Sequence, residues 1–164
     1  MKAISILAFG ADPTAQRLST SAIQQAINTA QRNDVIVIPQ GHFLTGALFM
    51  KSGVSLRLDA GARLMGSQDL ADYPLIDTRV AGIEMRWPAG IINIINCENV
   101  SITGTGTIDG QGAVWWPDFA PWCNFRGLGI GLRRTLEFSF FNLSAHNQDY
   151  VKSLIAIICL RFDR

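Results

Sequence analysis

Residues 99–112 read NVSITGTGTIDGQG, and this stretch decides the fold. Its opening, VSITG, has the same pattern as VSLRLDAG at residues 54–61: a short run of alternating aliphatic side chains that leads into a glycine. Such a run is typical of a strand that ends in a turn. Val54 and Val100 are 46 residues apart, which we interpret as two units of 23. A repeat of about 20–25 residues with short strands and glycine turns indicates a β-solenoid, whose coils bury their apolar faces against each other.

The remaining residues up to Trp116 predict short strands and one helix. Strands are predicted for the aliphatic runs at residues 35–38, 44–50, 54–58, 91–95 and 100–102. The helix follows the possible N-caps Ser19, Thr20 and Ser21, with an apolar stripe at Ala22, Ile23, Ala26, Ile27 and Ala30. A sandwich of antiparallel strands is the alternative, but it is disfavoured because tight Asn-Gly or Asp-Gly hairpins between neighbouring strands are missing. The pattern therefore predicts an all-β fold.

Net charge, hydrophobic runs and cysteine spacing indicate which partners and which cellular compartment to expect. The net charge is +1 without a basic stripe, so we expect no nucleic acid partner. The apolar run at residues 153–160 is too short to span a bilayer, and the run at residues 4–9 is too short for a secretory signal, so we expect a cytoplasmic protein without a membrane partner. Cys97, Cys123 and Cys159 have no metal-binding spacing, so we expect no metal site. Their odd number, without a secretory signal, predicts reduced thiols.

A family resemblance lies in the order and spacing of several segments. These segments are FGAD at 9–12, TSAIQQAI at 20–27, VIVIPQG at 35–41, FLTG at 43–46, LDAGA at 58–62, GS at 66–67, DYP at 72–74, and residues 99–112 followed by Trp115 and Trp116. Over residues 4–116 they resemble the N-terminal part of glycoside hydrolase family 28, the polygalacturonase and pectinase-like proteins. The resemblance implies a right-handed parallel β-helix whose N-terminal coils carry one short capping α-helix.

The resemblance also implies a chemistry. Family members hydrolyse α-1,4-galacturonosyl linkages of pectin with inversion and without a cofactor, so the implied partner is a pectin-derived oligo- or polysaccharide. Inversion requires one carboxylic acid and one carboxylate about 6.5–9.5 Å apart. The family's Asn-Thr-Asp, Asp-Asp, Gly-His-Gly and Arg-Ile-Lys motifs are absent: Asn28-Thr29 precedes Ala30, and Gly41-His42 precedes Phe43. We therefore expect an inactive N-terminal piece and assign no catalytic residue.

Several residues are tempting as site residues, but each has a structural interpretation that we prefer. Asp109 is expected to bond backbone N–H groups in a turn, with the following glycine at positive φ. Asp69 and Asp72 are expected to lie in a loop. His42 is expected to be a half-buried histidine of the solenoid.

The aromatic and basic candidates lie near or beyond the end of the resemblance. Trp115-Trp116 has a flat apolar face that suits a sugar ring, although packing under a loop is preferred. Arg133-Arg134 could bind a carboxylate, but it lies outside the family-like part of the chain. Asn99 and Asn142 begin glycosylation patterns to which, without a signal peptide, we assign no meaning.

The composition changes near Pro117. Twelve of the fifteen glycines precede this residue and six of the nine phenylalanines follow it. We therefore expect β-helix coils at residues 1–116 and an atypical tail at residues 117–164, either read out of frame or a divergent, truncated end. Two other functions stay open: a non-catalytic carbohydrate-binding β-helix, and a pectate-lyase-like protein, which requires an acidic Ca²⁺ cluster that the sequence does not display.

Overall fold

The computed structural model describes residues 1–80, 83–111 and 143–144. The strands are β1 (Ala3–Ser5), β2 (Thr14–Leu18), β3 (Val35–Ile38), β4 (Gly41–Thr45), β5 (Leu48–Phe49), β6 (Ser55–Leu58), β7 (Ala62–Gly66), β8 (Leu75–Val80), β9 (Ile83–Pro88), β10 (Ile92–Asn93), β11 (Ser101–Gly104), β12 (Thr107–Asp109) and β13 (Leu143–Ser144). The α-helix α1 is Thr20–Thr29, and short 3₁₀ helices cover Ile6–Phe9 and Leu70–Asp72.

The strands form three parallel stacks that the chain visits in turn. Sheet A has the order β1-β3-β6-β11, sheet B the order β12-β7-β4-β2, and sheet C pairs β10 with β5. All of these pairs are parallel. At the far edge of sheet A, β13 pairs antiparallel with β11. Successive parallel strands on three faces define a parallel β-helix, which confirms the predicted fold class and excludes the antiparallel sandwich.

Inward side chains form columns that run across the coils. In sheet A, Ile36 lies in register with Leu56, and Leu56 with Ile102. Ile36 and Leu56 are fully buried, and Ile102 is nearly so. In sheet B, Phe43 and Leu64 are fully buried in the same way. Since burying one such side chain contributes about 1.5–3 kcal/mol, these columns hold neighbouring coils together and fix their register.

The predicted repeat of two 23-residue units is wrong. Ser101 pairs directly with Ser55, and the two hydroxyl groups are 2.8 Å apart, so the 46-residue offset spans one coil. The extra length lies between sheets B and C, where the chain inserts the antiparallel hairpin β8–β9. This hairpin was not predicted from the sequence, although Gly82 stands between its two strands.

The predicted helix is confirmed as α1, with one difference at its start. Ser19 occupies the N-cap position, but its hydroxyl makes no bond to the helix. It instead accepts a hydrogen bond of 2.9 Å from the Asp12 backbone N–H. The Asp12 carboxylate accepts bonds from the backbone N–H groups of Thr14 and Arg17, so the loop before the helix is tied at both ends. The Thr14 hydroxyl also donates to Asp12, and this bond is the main cause that lowers the pKa of Asp12.

Within the described part of the chain, no helix is long and apolar enough to cross a membrane.

Cys97 is a buried free thiol that donates to the Met50 carbonyl at 3.2 Å. Cys123 and Cys159 lie outside the described residues.

Candidate functional site

The outer face of sheet B carries two of the polar candidates, His42 and Asp109. Because side chains alternate along a strand, the burial of Phe43 and Leu64 turns their neighbours His42 and Arg63 outward. His42 pairs in register with Arg63 on the next coil, and Arg63 pairs with Thr107. His42 is exposed, so the prediction of a half-buried histidine is wrong. Because the Phe43 side chain points into the core, the adjacent His42 side chain points to solvent.

Asp109 links two coils across this face. Its Oδ2 lies 2.6 Å from an Arg63 guanidinium nitrogen, and its Oδ1 accepts from the Gln111 backbone N–H at 2.9 Å. The second bond is the turn contact expected for this aspartate, although the positive φ, 48°, falls at Gln111 itself. Both carboxylate oxygens therefore accept bonds from protein donors, which suits a residue that fixes a turn and joins neighbouring coils.

Arg63 was missed as the partner of Asp109. Since Arg63 lies opposite Thr107, Asp109 is its diagonal neighbour two residues further along β12, within reach of a long side chain. The 46-residue offset between the matching motifs, if interpreted as one coil, places β12 beside β7 and so brings Asp109 near Arg63. Reading that offset as two coils concealed the contact.

Asp69 and Asp72 organise the loop that follows β7. Asp69 caps the 3₁₀ helix by accepting from the Ala71 backbone N–H at 2.9 Å. The Asp72 carboxylate accepts a bond from the Ser67 hydroxyl, and the Asp72 carbonyl accepts from the Ala47 N–H at 3.1 Å. The structure thus places Asp69 in the loop after β7, as expected, and Asp72 at the end of the short 3₁₀ helix within it. The Asp72 carbonyl holds this segment against the preceding coil.

Tyr73 completes this loop. Its hydroxyl donates to the Ser67 carbonyl at 2.8 Å. Burial, and secondarily the charge of Asp72, raises the pKa of Tyr73 to about 12. The phenol therefore stays protonated at neutral pH and remains a donor.

Gln111 brings the Asp109 turn together with the Asp69–Asp72 loop. Its amide nitrogen donates to the Gly66 carbonyl at 2.6 Å, and its amide oxygen accepts from Gln68 at 3.2 Å. These contacts follow from the topology, because β7 and β12 are parallel neighbours and end at the same edge. Neither glutamine was assigned a role from the sequence, although Gln111 lies within the stretch at residues 99–112.

The other candidates fall in turns or outside the described residues. Asn99 has a φ of 54° before β11, a left-handed position that asparagine tolerates. Trp115-Trp116, Arg133-Arg134 and Asn142 lie outside the described residues. Over residues 1–80 and 83–111, no group of three or more His, Cys, Asp or Glu side chains is placed to hold a metal ion. That the chain holds no catalytic residue stays a prediction.

Comparison with known proteins supplies the family. The model of the family described as Glycosyl hydrolases family 28 matches residues 29–149. The chain belongs to this family. An exo-poly-alpha-D-galacturonosidase of Dickeya chrysanthemi is 39% identical over 119 residues, which cover 68% of this chain and 20% of the relative. An endo-polygalacturonase of Pectobacterium carotovorum subsp. carotovorum is 29% identical over 153 residues, covering 79% and 37%.

A solved structure agrees in fold. The family 28 exopolygalacturonase of Yersinia enterocolitica is 37% identical, with a TM-score of 0.64 over 68% of this chain and 21% of that one. The chain thus spans about a fifth of the length of this structure and of the Dickeya relative. The family match continues past Trp116 to residue 149, into the segment that composition set apart. The boundary at residue 116, and a tail read out of frame, stay predictions.

Proposed function

We propose that the chain is the N-terminal part of a pectin-degrading polygalacturonase, and that residues 1–111 serve as its scaffold without a catalytic pair. The family match and the names of the relatives support the hydrolase and its carbohydrate substrate. The observation that supports the scaffold role is how Asp109 is bonded. Its carboxylate, on the outer face of sheet B, accepts hydrogen bonds from the Arg63 guanidinium and from the Gln111 backbone N–H.

The reaction proposed for the whole protein is hydrolysis of α-1,4-galacturonosyl linkages with inversion. One carboxylic acid protonates the leaving oxygen, while a carboxylate on the opposite face activates water. Neither Asp109 nor the Asp69–Asp72 loop offers such a pair, because their described bonds serve turns and coil contacts. The catalytic carboxylates of the proposed enzyme therefore belong to coils that follow residue 111.

The test compares two proteins by reducing-sugar release from polygalacturonate without added metal. One is the purified 164-residue chain. The other is a chimaera in which residues 1–111 replace the matching coils of the Dickeya chrysanthemi enzyme. We expect the chimaera to release sugar and the chain to release none above the buffer blank. Sugar release by the 164-residue chain would overturn the proposed scaffold role.

A matched substitution sharpens this test. In the chimaera, Asp109→Asn keeps the turn acceptor but removes the charge that pairs with Arg63. A loss of less than about tenfold in kcat agrees with a structural carboxylate, whereas removing a catalytic acid or base costs about 10²–10⁴-fold. A loss in the latter range would assign Asp109 to catalysis.

A further inference from the structure

The two edges of strand β5 have different partners. On one edge, the Leu48 N–H donates to the Ile91 carbonyl at 2.9 Å, and the Met50 N–H donates to the Asn93 carbonyl at 2.8 Å. Phe49 lies between them, so its own N–H and carbonyl point to the opposite edge. An earlier coil of sheet C would lie at that edge, but within the described residues the helix α1 occupies it.

Gln24 of α1 meets this edge with its side-chain amide. Its Oε1 accepts from the Phe49 N–H at 2.9 Å, and its Nε2 donates to the Phe49 carbonyl at 3.0 Å. A carboxamide carries the same donor and acceptor as a peptide group, so one side chain satisfies both backbone groups. The Asn28 side chain accepts from the same Nε2 at 3.0 Å and holds the amide in place.

Two further bonds extend this contact along the helix. The Thr20 hydroxyl accepts from the Gly46 N–H at 2.7 Å, ahead of Gln24. Beyond the end of the helix, the Lys51 ammonium donates to the Ala30 carbonyl at 2.8 Å. Thr20 and Gln24 are one helical turn apart, so one face of α1 follows the chain from Gly46 to Lys51.

We propose that Gln24 stands in for the peptide of a missing strand, and that α1 thereby prevents a second copy of this chain from adding to the β5 edge. An open strand edge is a template for pairing with another chain. A second copy is the fitting partner because its strands have the coil spacing and register that β5 already accepts from β10. A heterologous contact of this kind continues end to end.

The experiment uses the full chain with three single substitutions on α1. Gln24→Met keeps the length of the side chain and removes the amide. Gln24→Lys also removes the amide but places a charge over the edge, which opposes strand addition. Gln25→Met makes the same chemical change at the exposed neighbouring position and serves as the control.

Two readouts test the proposal: amide hydrogen exchange at Phe49, and sedimentation velocity over a hundredfold concentration range. At a concentration at which every variant is monomeric, we expect exchange at Phe49 to accelerate about tenfold in both Gln24 variants and to stay unchanged in Gln25→Met. We expect concentration-dependent association beyond that of the parent chain in Gln24→Met alone. Unchanged exchange at Phe49 would overturn the proposal. Equal association in both Gln24 variants, or in neither, would also overturn it.

Discussion

The two complete coil steps of sheet A differ more than twofold in length and yet pair in the same way. From Val35 to Ser55 the chain takes 20 residues, and from Ser55 to Ser101 it takes 46. Both steps end with parallel strands that keep the same inward column. The length of a coil is therefore free to vary in its turns, whereas register is fixed by the buried side chains of the strands. Coil length and strand register can therefore be perturbed separately.

The largest effect is expected at Gly104, the last residue of strand β11, which lies in register with Leu58. Gly104 has a φ of 108°, and an added Cβ would overlap the Leu58 carbonyl oxygen. Gly104→Ala should therefore displace β11 and cost more than about 3 kcal/mol in the free energy of unfolding. Urea unfolding followed by far-UV circular dichroism measures this loss.

Gly10→Ala is the matched control for this substitution. Gly10 also has a positive φ, 84°, but a Cβ there would meet no atom within 4 Å. Its cost should be the left-handed backbone alone, about 1–2 kcal/mol. Equal losses for Gly10→Ala and Gly104→Ala would show that coil spacing at Leu58 is looser than the structure indicates.

The second effect concerns Leu56, which lies between the short and the long coil. It is fully buried and in register with Ile36 on one side and Ile102 on the other. Leu56→Ala should cost about 3 kcal/mol through lost burial and a cavity shared by both coils. The exposed neighbour Arg57, substituted by alanine, should change the free energy of unfolding by less than about 1 kcal/mol. A small loss at Leu56 would contradict register control by the columns.

The same contrast explains what the sequence could predict. The strands at Val35–Ile38 and Ser55–Leu58 were found because alternation and β-branching act locally, and the helix was found through its apolar stripe. The contact of Arg63 with Asp109 was not found, because it depends on how many residues one coil contains. The hairpin β8–β9 lengthens the coil from Ser55 to Ser101 to 46 residues, and a local sequence pattern does not show that the extra residues are an insertion.

The burial of polar residues was also beyond the sequence pattern. Asn93 is 1% exposed, and its side-chain amide donates to the Leu48 carbonyl of the preceding coil at 2.9 Å. Its amide oxygen accepts a hydrogen bond from the Gly90 backbone N–H at 2.9 Å. Nothing in a strand's alternation distinguishes such an asparagine from an exposed one, because its role requires knowing which carbonyl lies opposite.

The third prediction concerns how the free energy of unfolding depends on pH through Asp34, the residue directly before β3. The Asp34 carboxylate accepts bonds from the backbone N–H groups of Gln31 and Lys2, at 3.0 and 2.8 Å. The Gln31 bond first, and then the Lys2 bond, lower the pKa of Asp34 below its ordinary value of 3.8. A depressed folded-state pKa means that this stabilisation is present above pH 3.8 and is lost as the pH falls through the folded-state pKa.

Substituting Asp34 by asparagine tests this sign. The free energy of unfolding of Asp34→Asn should fall below that of the parent at pH 7, and the gap should close as the pH is lowered below 3.8. Asp77→Asn is the control, because that side chain is 92% exposed and 3.8 Å from Arg86. A gap at Asp34 that stays constant with pH would show that the geometry of the turn, and not the charge, stabilises the coil.

The smallest effect is expected from shortening the long coil. The Ala89 N–H donates to the Pro74 carbonyl at 2.9 Å, so the two ends of the β8–β9 hairpin already lie side by side. Replacing residues 75–88 by two glycines should leave the free energy of unfolding within about 1 kcal/mol of the parent, since loop length alone carries a small closure entropy. The exchange protection of the Thr105 amide, which donates to the Leu58 carbonyl at 3.0 Å and therefore reports the pairing of β11 with β6, should be preserved. Loss of that protection would mean that the hairpin sets the register of the long coil, and the columns would then be a consequence of the insertion instead of the reason it is tolerated.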